Sequence, residues 1–89
     1  MSILHKSQTD DAHLRAHDHC YNHRTEIENS KECGCFYCIS TFPHTEIIEW
    51  IDDGKTALCP SCEIDAVIGS AAGFPLTAEF LERMYNHWF

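Results

Sequence analysis

Six cysteines are the residues with the clearest chemistry, and four of them form two Cys-x-x-Cys pairs. The pairs are Cys35/Cys38 and Cys59/Cys62, with twenty residues between them. A two-residue spacer lets the chain turn so that both thiolates reach one ion, and two such pairs supply the four thiolates of a tetrahedral structural zinc site. The pattern therefore predicts one structural Zn²⁺ per chain, bound by these four side chains.

The ligand set has one local alternative. Cys33 lies two residues before Cys35 and could replace it, whereas Cys20 has no partner at a matching spacing. Gly34 and Pro60 favour tight turns at the two pairs. A redox pair usually occurs singly on a βαβ unit, and disulfides are disfavoured because the N-terminus has no apolar signal segment. The roles of Cys20 and Cys33 stay open; a redox sensor needs a cationic neighbour that the sequence does not show.

Histidines form a second candidate metal site near the N-terminus. Five of the seven lie in this part of the chain: His5, His13, His17, His19 and His23. The last four include two pairs at four-residue spacing, which places the partners on one face of a helix, close to Cys20. They could share a second, open metal, with Asp18 or Glu26 as a ligand or base. Since the chain has no His-Glu-x-x-His pattern, we favour surface or interfacial histidines.

Length and charge restrict the class of protein. The 89 residues suit one domain, and 44% apolar content indicates a folded chain. No apolar run is long enough to cross a membrane, so we expect a soluble, cytoplasmic protein. The net charge is −8, and residues 33–89, with two basic and eight acidic side chains, account for −6 of it. This charge opposes nucleic-acid binding and predicts a protein partner with a cationic surface; a homo-oligomer stays open.

The periodicity predicts four segments in a single domain over residues 1–89. They are a lead-in over 1–8, a His-rich helix over 9–29, a zinc core over 33–68 and a C-terminal helix over 77–88 that Thr77 caps. Within the core, a second helix is predicted from Pro43 to Ile51, ending before Gly54. Trp50 is expected to anchor the core, and residues 69–75 to form a connector.

The second cysteine pair lies in a predicted β-hairpin. Residues 55–59 resemble a strand that enters the pair, and residues 64–68 a strand that returns, as in a zinc ribbon. The alternative is a helix directly after Cys62, which would make the site a treble clef. We favour the hairpin because Val67-Ile68-Gly69 is rich in β-branched residues and stops at a glycine. The predicted fold is therefore a small α+β, zinc-ribbon-like (or treble-clef) domain with about three helices and a short β-hairpin.

Several longer motifs carry a resemblance. Cys-Gly-Cys-Phe-Tyr-Cys from Cys33, Glu-Ile-Ile-Glu-Trp-Ile from Glu46, Thr-Ala-Leu-Cys-Pro-Ser-Cys-Glu-Ile-Asp-Ala-Val-Ile-Gly from Thr56, and the terminal Trp88-Phe89 resemble a group of small bacterial proteins described only as cytoplasmic proteins. The likeness covers residues from about 23 to 89 and implies no established activity. The chain is also broadly similar to zinc-ribbon and treble-clef modules, which share the four-cysteine site.

Three functions are compatible with these features. The first, which we favour, is a structural zinc domain that acts as a protein-interaction or regulatory module without catalysis. The second is a metal-dependent hydrolase or nuclease that uses the N-terminal histidines and requires more than one metal per chain. The third is a nucleic-acid-binding zinc ribbon, which the acidic charge disfavours.

The aromatic end His87-Trp88-Phe89 is expected to dock on the core or on another subunit.

Overall fold

The computed structural model describes residues 12–89. Its helices are α1, helical over residues 12–16 of the described chain, α2 (Arg24–Glu28) and α3 (Ala78–Trp88), with short 3₁₀ turns at His17–His19, His44–Glu46 and Ser70–Ala72. The predicted lead-in over 1–8, the helix start at residue 9 and His5 lie outside the described residues.

Within residues 12–89, five short strands form two antiparallel sheets. Strands β1 (Cys33–Cys35), β2 (Ser40–Phe42) and β5 (Val67–Gly69) make a three-stranded sheet in the order β2-β1-β5, in which Cys35 lies opposite Ser40 and Val67. Strands β3 (Trp50–Ile51) and β4 (Thr56–Ala57) form a separate hairpin. The part of the chain that the structure describes is thus a small α+β domain with three helices and antiparallel sheets.

The continuous helix predicted over 9–29 is wrong. After α1 the chain passes through a 3₁₀ turn and a bend, where Asn22 has φ 49°, before α2 begins. The backbone N–H of Asn22 donates to Thr56 Oγ1 at 2.9 Å, and that of His23 donates to the Lys55 carbonyl at 2.8 Å. Hydrogen bonds to the β3–β4 hairpin therefore replace helical bonds at this point, and tertiary structure overrides the local helical pattern.

The helix predicted from Pro43 to Ile51 is also wrong. Only His44–Glu46 is helical, as a 3₁₀ turn, and Trp50–Ile51 is strand β3. The three residues interpreted as a helix stop, Asp52, Asp53 and Gly54, have φ values of 55°, 59° and 83° and form the turn of the β3–β4 hairpin. Because β-branched and aromatic residues favour strands, the apolar run before this turn is extended.

The predicted strand pairing at the second cysteine pair is wrong as well. The entering strand β4 pairs with β3, and the returning strand β5 pairs with β1, so the two do not form a hairpin with each other. No helix begins directly after Cys62, since residues 63–66 are neither helical nor stranded. Neither the predicted hairpin nor the treble-clef alternative describes this connection.

Helices α2 and α3 pack on the three-stranded sheet. Thr77 Oγ1 accepts a hydrogen bond from the backbone N–H of Phe80 at the start of α3, whose buried face consists of Phe80, Leu81 and Met84. A Cβ added at Gly34 of β1 would lie 3.2 Å from a Leu81 methyl group, so the glycine permits this close approach. A Cβ at Gly69 of β5 would collide with the buried Ser30 hydroxyl, which donates to the Glu26 carbonyl at 2.8 Å.

Candidate metal centre

The four cysteines of the two pairs converge in space. Their Sγ atoms all lie within 4.8 Å of one another. Two separations between the pairs are 3.6 Å, from Cys35 to Cys62, and 3.7 Å, from Cys38 to Cys59. A disulfide bond is about 2.05 Å long, and all four are free thiols. The cluster can hold one metal ion.

The first pair lies in the turn between β1 and β2. The backbone N–H of Tyr37 donates to Cys35 Sγ at 3.4 Å, and that of Ile39 donates to the Cys35 carbonyl at 2.9 Å. Ile39 closes the turn in the left-handed region, with φ 60°. Sequence reasoning missed this strained position and also Ser40, whose Oγ lies 3.0 Å from Cys38 Sγ. A β-branched residue directly after a ligand pair gives no local signal of such a conformation.

The second pair repeats the same geometry without a hairpin around it. The backbone N–H of Ser61 donates to Cys59 Sγ at 3.4 Å, and that of Glu63 donates to the Cys59 carbonyl at 2.9 Å. Glu63 has φ 66°, matching Ile39 in the first pair. The Cys59 N–H then donates to the Ile64 carbonyl at 3.0 Å. Two distant segments therefore present their thiols in one conformation, each with an amide directed at sulfur.

The thiols differ in burial and in ease of ionisation. Cys35 and Cys59 are buried, Cys62 is half-buried and Cys38 is exposed. Burial raises the pKa of Cys35 and of Cys62. Burial opposes ionisation of Cys59 too, but hydrogen bonds from the Cys62 and Ser61 amides and from the Cys38 thiol lower its pKa to about 7. These hydrogen bonds favour a thiolate at Cys59, the form that binds a cation.

The remaining two cysteines lie outside the cluster. Cys33 is buried in β1, one strand repeat from Cys35, and a two-residue step along a strand displaces a side chain by about 6.6 Å. Burial raises the pKa of Cys33 to about 11. Burial, with the charge of Asp65, raises the pKa of Cys20 to about 11. Both stay protonated at neutral pH, which does not favour a redox-sensor role for either.

His23 is a structural histidine. It is 4% exposed, its Nδ1–H donates to the His19 carbonyl at 2.6 Å, and its Nε2 accepts from the Ala57 N–H at 3.0 Å. Both ring nitrogens are therefore occupied in joining the α1–α2 bend to β4. Burial lowers the pKa of His23, so the neutral ring is favoured.

The other histidines of the proposed second site are directed to separate neighbours. His19 Nδ1 lies 3.0 and 3.1 Å from the two carboxylate oxygens of Glu26. His17 stacks on Trp88 with ring centroids 3.9 Å apart, and His13 lies edge-on to His87 at 5.4 Å. Within residues 12–89, the thiol cluster is the one group of three or more His, Cys, Asp or Glu side chains close enough to share an ion. The structure does not bring these histidines together.

A polar cleft of about 660 Å³ lies beside the α1–α2 bend. The His19–Glu26 pair, Asn22 and Lys55 are among its lining residues. Asp18, proposed with Glu26 as a ligand or base, also lines this cleft but belongs to no cluster of metal-ligand atoms among the described residues.

Comparisons with known proteins add no assignment. No family model, curated protein or solved structure matches this chain. In the described part of the chain, no helix has the length and apolar character needed to cross a membrane.

Proposed function

We propose that this protein binds one structural Zn²⁺ through Cys35, Cys38, Cys59 and Cys62 and acts as a protein-interaction module. The observation that carries the zinc assignment is the convergence of four Sγ atoms from two distant segments. A tetrahedron with Zn–S bonds of about 2.3 Å has edges of about 3.8 Å, close to the 3.6 and 3.7 Å separations between the pairs. Four protein ligands leave no open position for a substrate, which is typical of a structural site.

An exposed group of aromatic side chains next to the metal centre supports the interaction role. We call Tyr37, Tyr85, Trp88 and Phe89 the aromatic face; they are 38–58% exposed. Tyr37 lies between the two cysteines of the first pair, and its ring centroid is 4.8 Å from that of Phe89 and 5.7 Å from that of Tyr85. Clustered, partly exposed Tyr, Trp and Phe are enriched at protein interfaces. Zinc would fix the turn that presents Tyr37.

The net charge of the chain favours one class of binding partner over others. A net charge of −8 repels the phosphate backbone and would also repel a second copy of this chain. A protein with a cationic surface is attracted by the same field. The proposed partner is therefore a basic protein surface.

Two measurements test the proposal. Native mass spectrometry of the untagged protein should show one zinc per chain. A photoreactive benzoylphenylalanine in place of Tyr85 should give a discrete adduct with a basic protein in cells, whereas the same group in place of Asp53, in the β3–β4 turn, should not. A compact metal-free chain would refute the zinc assignment, and equal adducts from both positions, or a self-adduct alone, would refute the interaction role.

The hydrolase alternative retains one observation in its favour, the His19–Glu26 pair on the wall of the polar cleft. The hydrolase function requires a second metal, so the same mass measurement separates it from the structural role. Two metals per chain would favour the hydrolase.

A further inference from the structure

A second cleft, of about 390 Å³, combines aromatic rings with one carboxylate. We call it the aromatic cleft. It is lined by His17, Cys20, Tyr21, Phe36, Asp65, Trp88 and Phe89. Three of its rings are open to solvent: Tyr21 is 48% exposed, Trp88 39% and Phe89 58%. The cleft is therefore continuous with the aromatic face, through Trp88 and Phe89.

Asp65 supplies the negative charge of this cleft. It is exposed, and its carboxylate makes no hydrogen bond or ion pair within residues 12–89. Cys20, beside it, stays a neutral thiol because burial and the charge of Asp65 raise its pKa to about 11. Among residues 12–89, no lysine or arginine lines the cleft. One unpaired carboxylate among aromatic rings is an environment that attracts an organic cation.

The protein contains an example of the same recognition chemistry. The guanidinium of Arg24 lies 4.3 Å from the centroid of the Trp50 ring. Its Nε donates to the Glu28 carboxylate at 3.0 Å, and its Nη1 donates to the Gly54 carbonyl at 2.9 Å. A planar guanidinium can stack on a ring and donate to a carboxylate at the same time, whereas a compact ammonium cannot stack. From the described residues, the aromatic cleft offers the ring and the carboxylate but no guanidinium.

We propose that the aromatic cleft binds an arginine side chain of the protein partner. Its guanidinium lies against the ring of Phe89 and the part of the Trp88 ring that the stacked His17 leaves uncovered, and its N–H groups donate to Asp65. The inference rests on the proposed interaction function and adds the anchoring residue type. It also gives the net negative charge and the aromatic face separate roles: the charge attracts a basic partner, and the rings select arginine within it.

The test is a titration of the zinc-loaded, ¹⁵N-labelled protein followed by NMR. The probe is Nα-acetylarginine amide, and two compounds serve as controls. Nα-acetylcitrulline amide has the same shape without the charge. Nα-acetyllysine amide, called capped lysine below, has a charged ε-ammonium group in place of the planar guanidinium. We expect arginine to bind in the millimolar range, as suits a single side chain. The largest shifts should occur at Cys20, Asp65 and the Trp88 indole.

Matched variants localise the binding. Asp65→Asn should weaken arginine binding about five-fold, since Asp65 is the one acidic side chain that lines the cleft within residues 12–89. Asp53→Asn makes the same charge change in an exposed turn and should leave the affinity unchanged. Phe89→Leu keeps an apolar side chain but removes a ring, and should weaken arginine more than capped lysine.

Three results would overturn the inference: equal binding of citrulline, equal binding of capped lysine, or equal weakening by the two Asp→Asn variants. None of these affects the zinc count or the Tyr85 adduct. A protein that holds one zinc and forms that adduct but does not prefer arginine would refute this inference alone, whereas loss of the adduct would refute the interaction role itself.

Discussion

The thiol cluster and the histidine-bearing segment 12–23 start from similar sequence patterns and end differently. Both contain potential metal ligands at short, regular spacing. The cysteine pairs meet at one point, with Sγ atoms within 4.8 Å of one another. The histidines disperse: His23 is buried between two backbone groups, His19 meets a carboxylate and His17 stacks on Trp88.

The difference lies in what the spacing constrains. A four-residue histidine spacing brings side chains together only if the segment is a continuous helix, and this one bends at Asn22. A Cys-x-x-Cys turn carries its own geometry, including an amide directed at the first sulfur. Two copies of such a turn predict a shared ion whatever the structure between them.

The largest expected effect is the loss of one cluster thiol. Cys38→Ser should abolish stoichiometric zinc binding and lower the free energy of unfolding by several kcal/mol, enough to unfold a domain of this size, because metal binding contributes directly to folding. Zinc content by native mass spectrometry and urea unfolding followed by circular dichroism would measure both.

Cys33→Ala is the matched control for that variant. Cys33 lies on the same strand as Cys35 but outside the cluster, so this variant should keep one zinc per chain and lose only about 1 kcal/mol for the buried sulfur. If Cys33→Ala lost the metal while Cys38→Ser retained it, the ligand set would be wrong.

The two Cys-x-x-Cys pairs and the cap of α3 at Thr77 are local features, so they could be predicted from the sequence. The pairing of β5 was not local, and the local β3–β4 hairpin had an ambiguous turn. β5 pairs with β1 over more than thirty residues, and the Asp52-Asp53-Gly54 turn fits both a helix end and a hairpin. The bend at Asn22 depends on bonds to Thr56 and Lys55, which no pattern near Asn22 encodes.

The next largest effect should be a loss of stability without a change in zinc content. His23→Gln keeps an acceptor for the Ala57 N–H but loses the donor to the His19 carbonyl, so we expect a loss of about 1–3 kcal/mol. One zinc per chain should remain. His17→Gln, in the same segment, should change stability by less than about 1 kcal/mol. Loss of zinc from His23→Gln, measured by native mass spectrometry, would mean that the two regions are not independent.

The same histidine predicts a pH dependence. Burial lowers the pKa of His23 in the folded state, so below an unfolded value of about 6.5 the unfolded chain binds more protons and stability falls. The contribution is complete above that pH and is lost as the pH decreases. Thiolates also bind protons in acid, so the readout is the difference between wild type and His23→Gln in urea unfolding, which should shrink from about pH 7.5 to about pH 5.5. A constant difference would contradict a neutral buried ring.

The smallest expected effect is a gain in stability. Glu63 is exposed and holds φ 66°, a conformation that glycine adopts without strain. Glu63→Gly should raise the free energy of unfolding by about 0.5 kcal/mol. This is the net effect of relieving the strain in the folded state and of increasing the conformational entropy of the unfolded chain. Glu49→Gly, at an exposed position without positive φ, should be destabilising instead. Equal destabilisation by both variants would show that the second turn stores no strain.

Coordination of one ion by four sulfur atoms can be measured by X-ray absorption at the zinc edge of the untagged protein, which counts and identifies the ligands. We expect four sulfur neighbours at about 2.3 Å and no nitrogen. Nitrogen or oxygen neighbours at about 2.0–2.1 Å, or a folded protein without zinc, would contradict it.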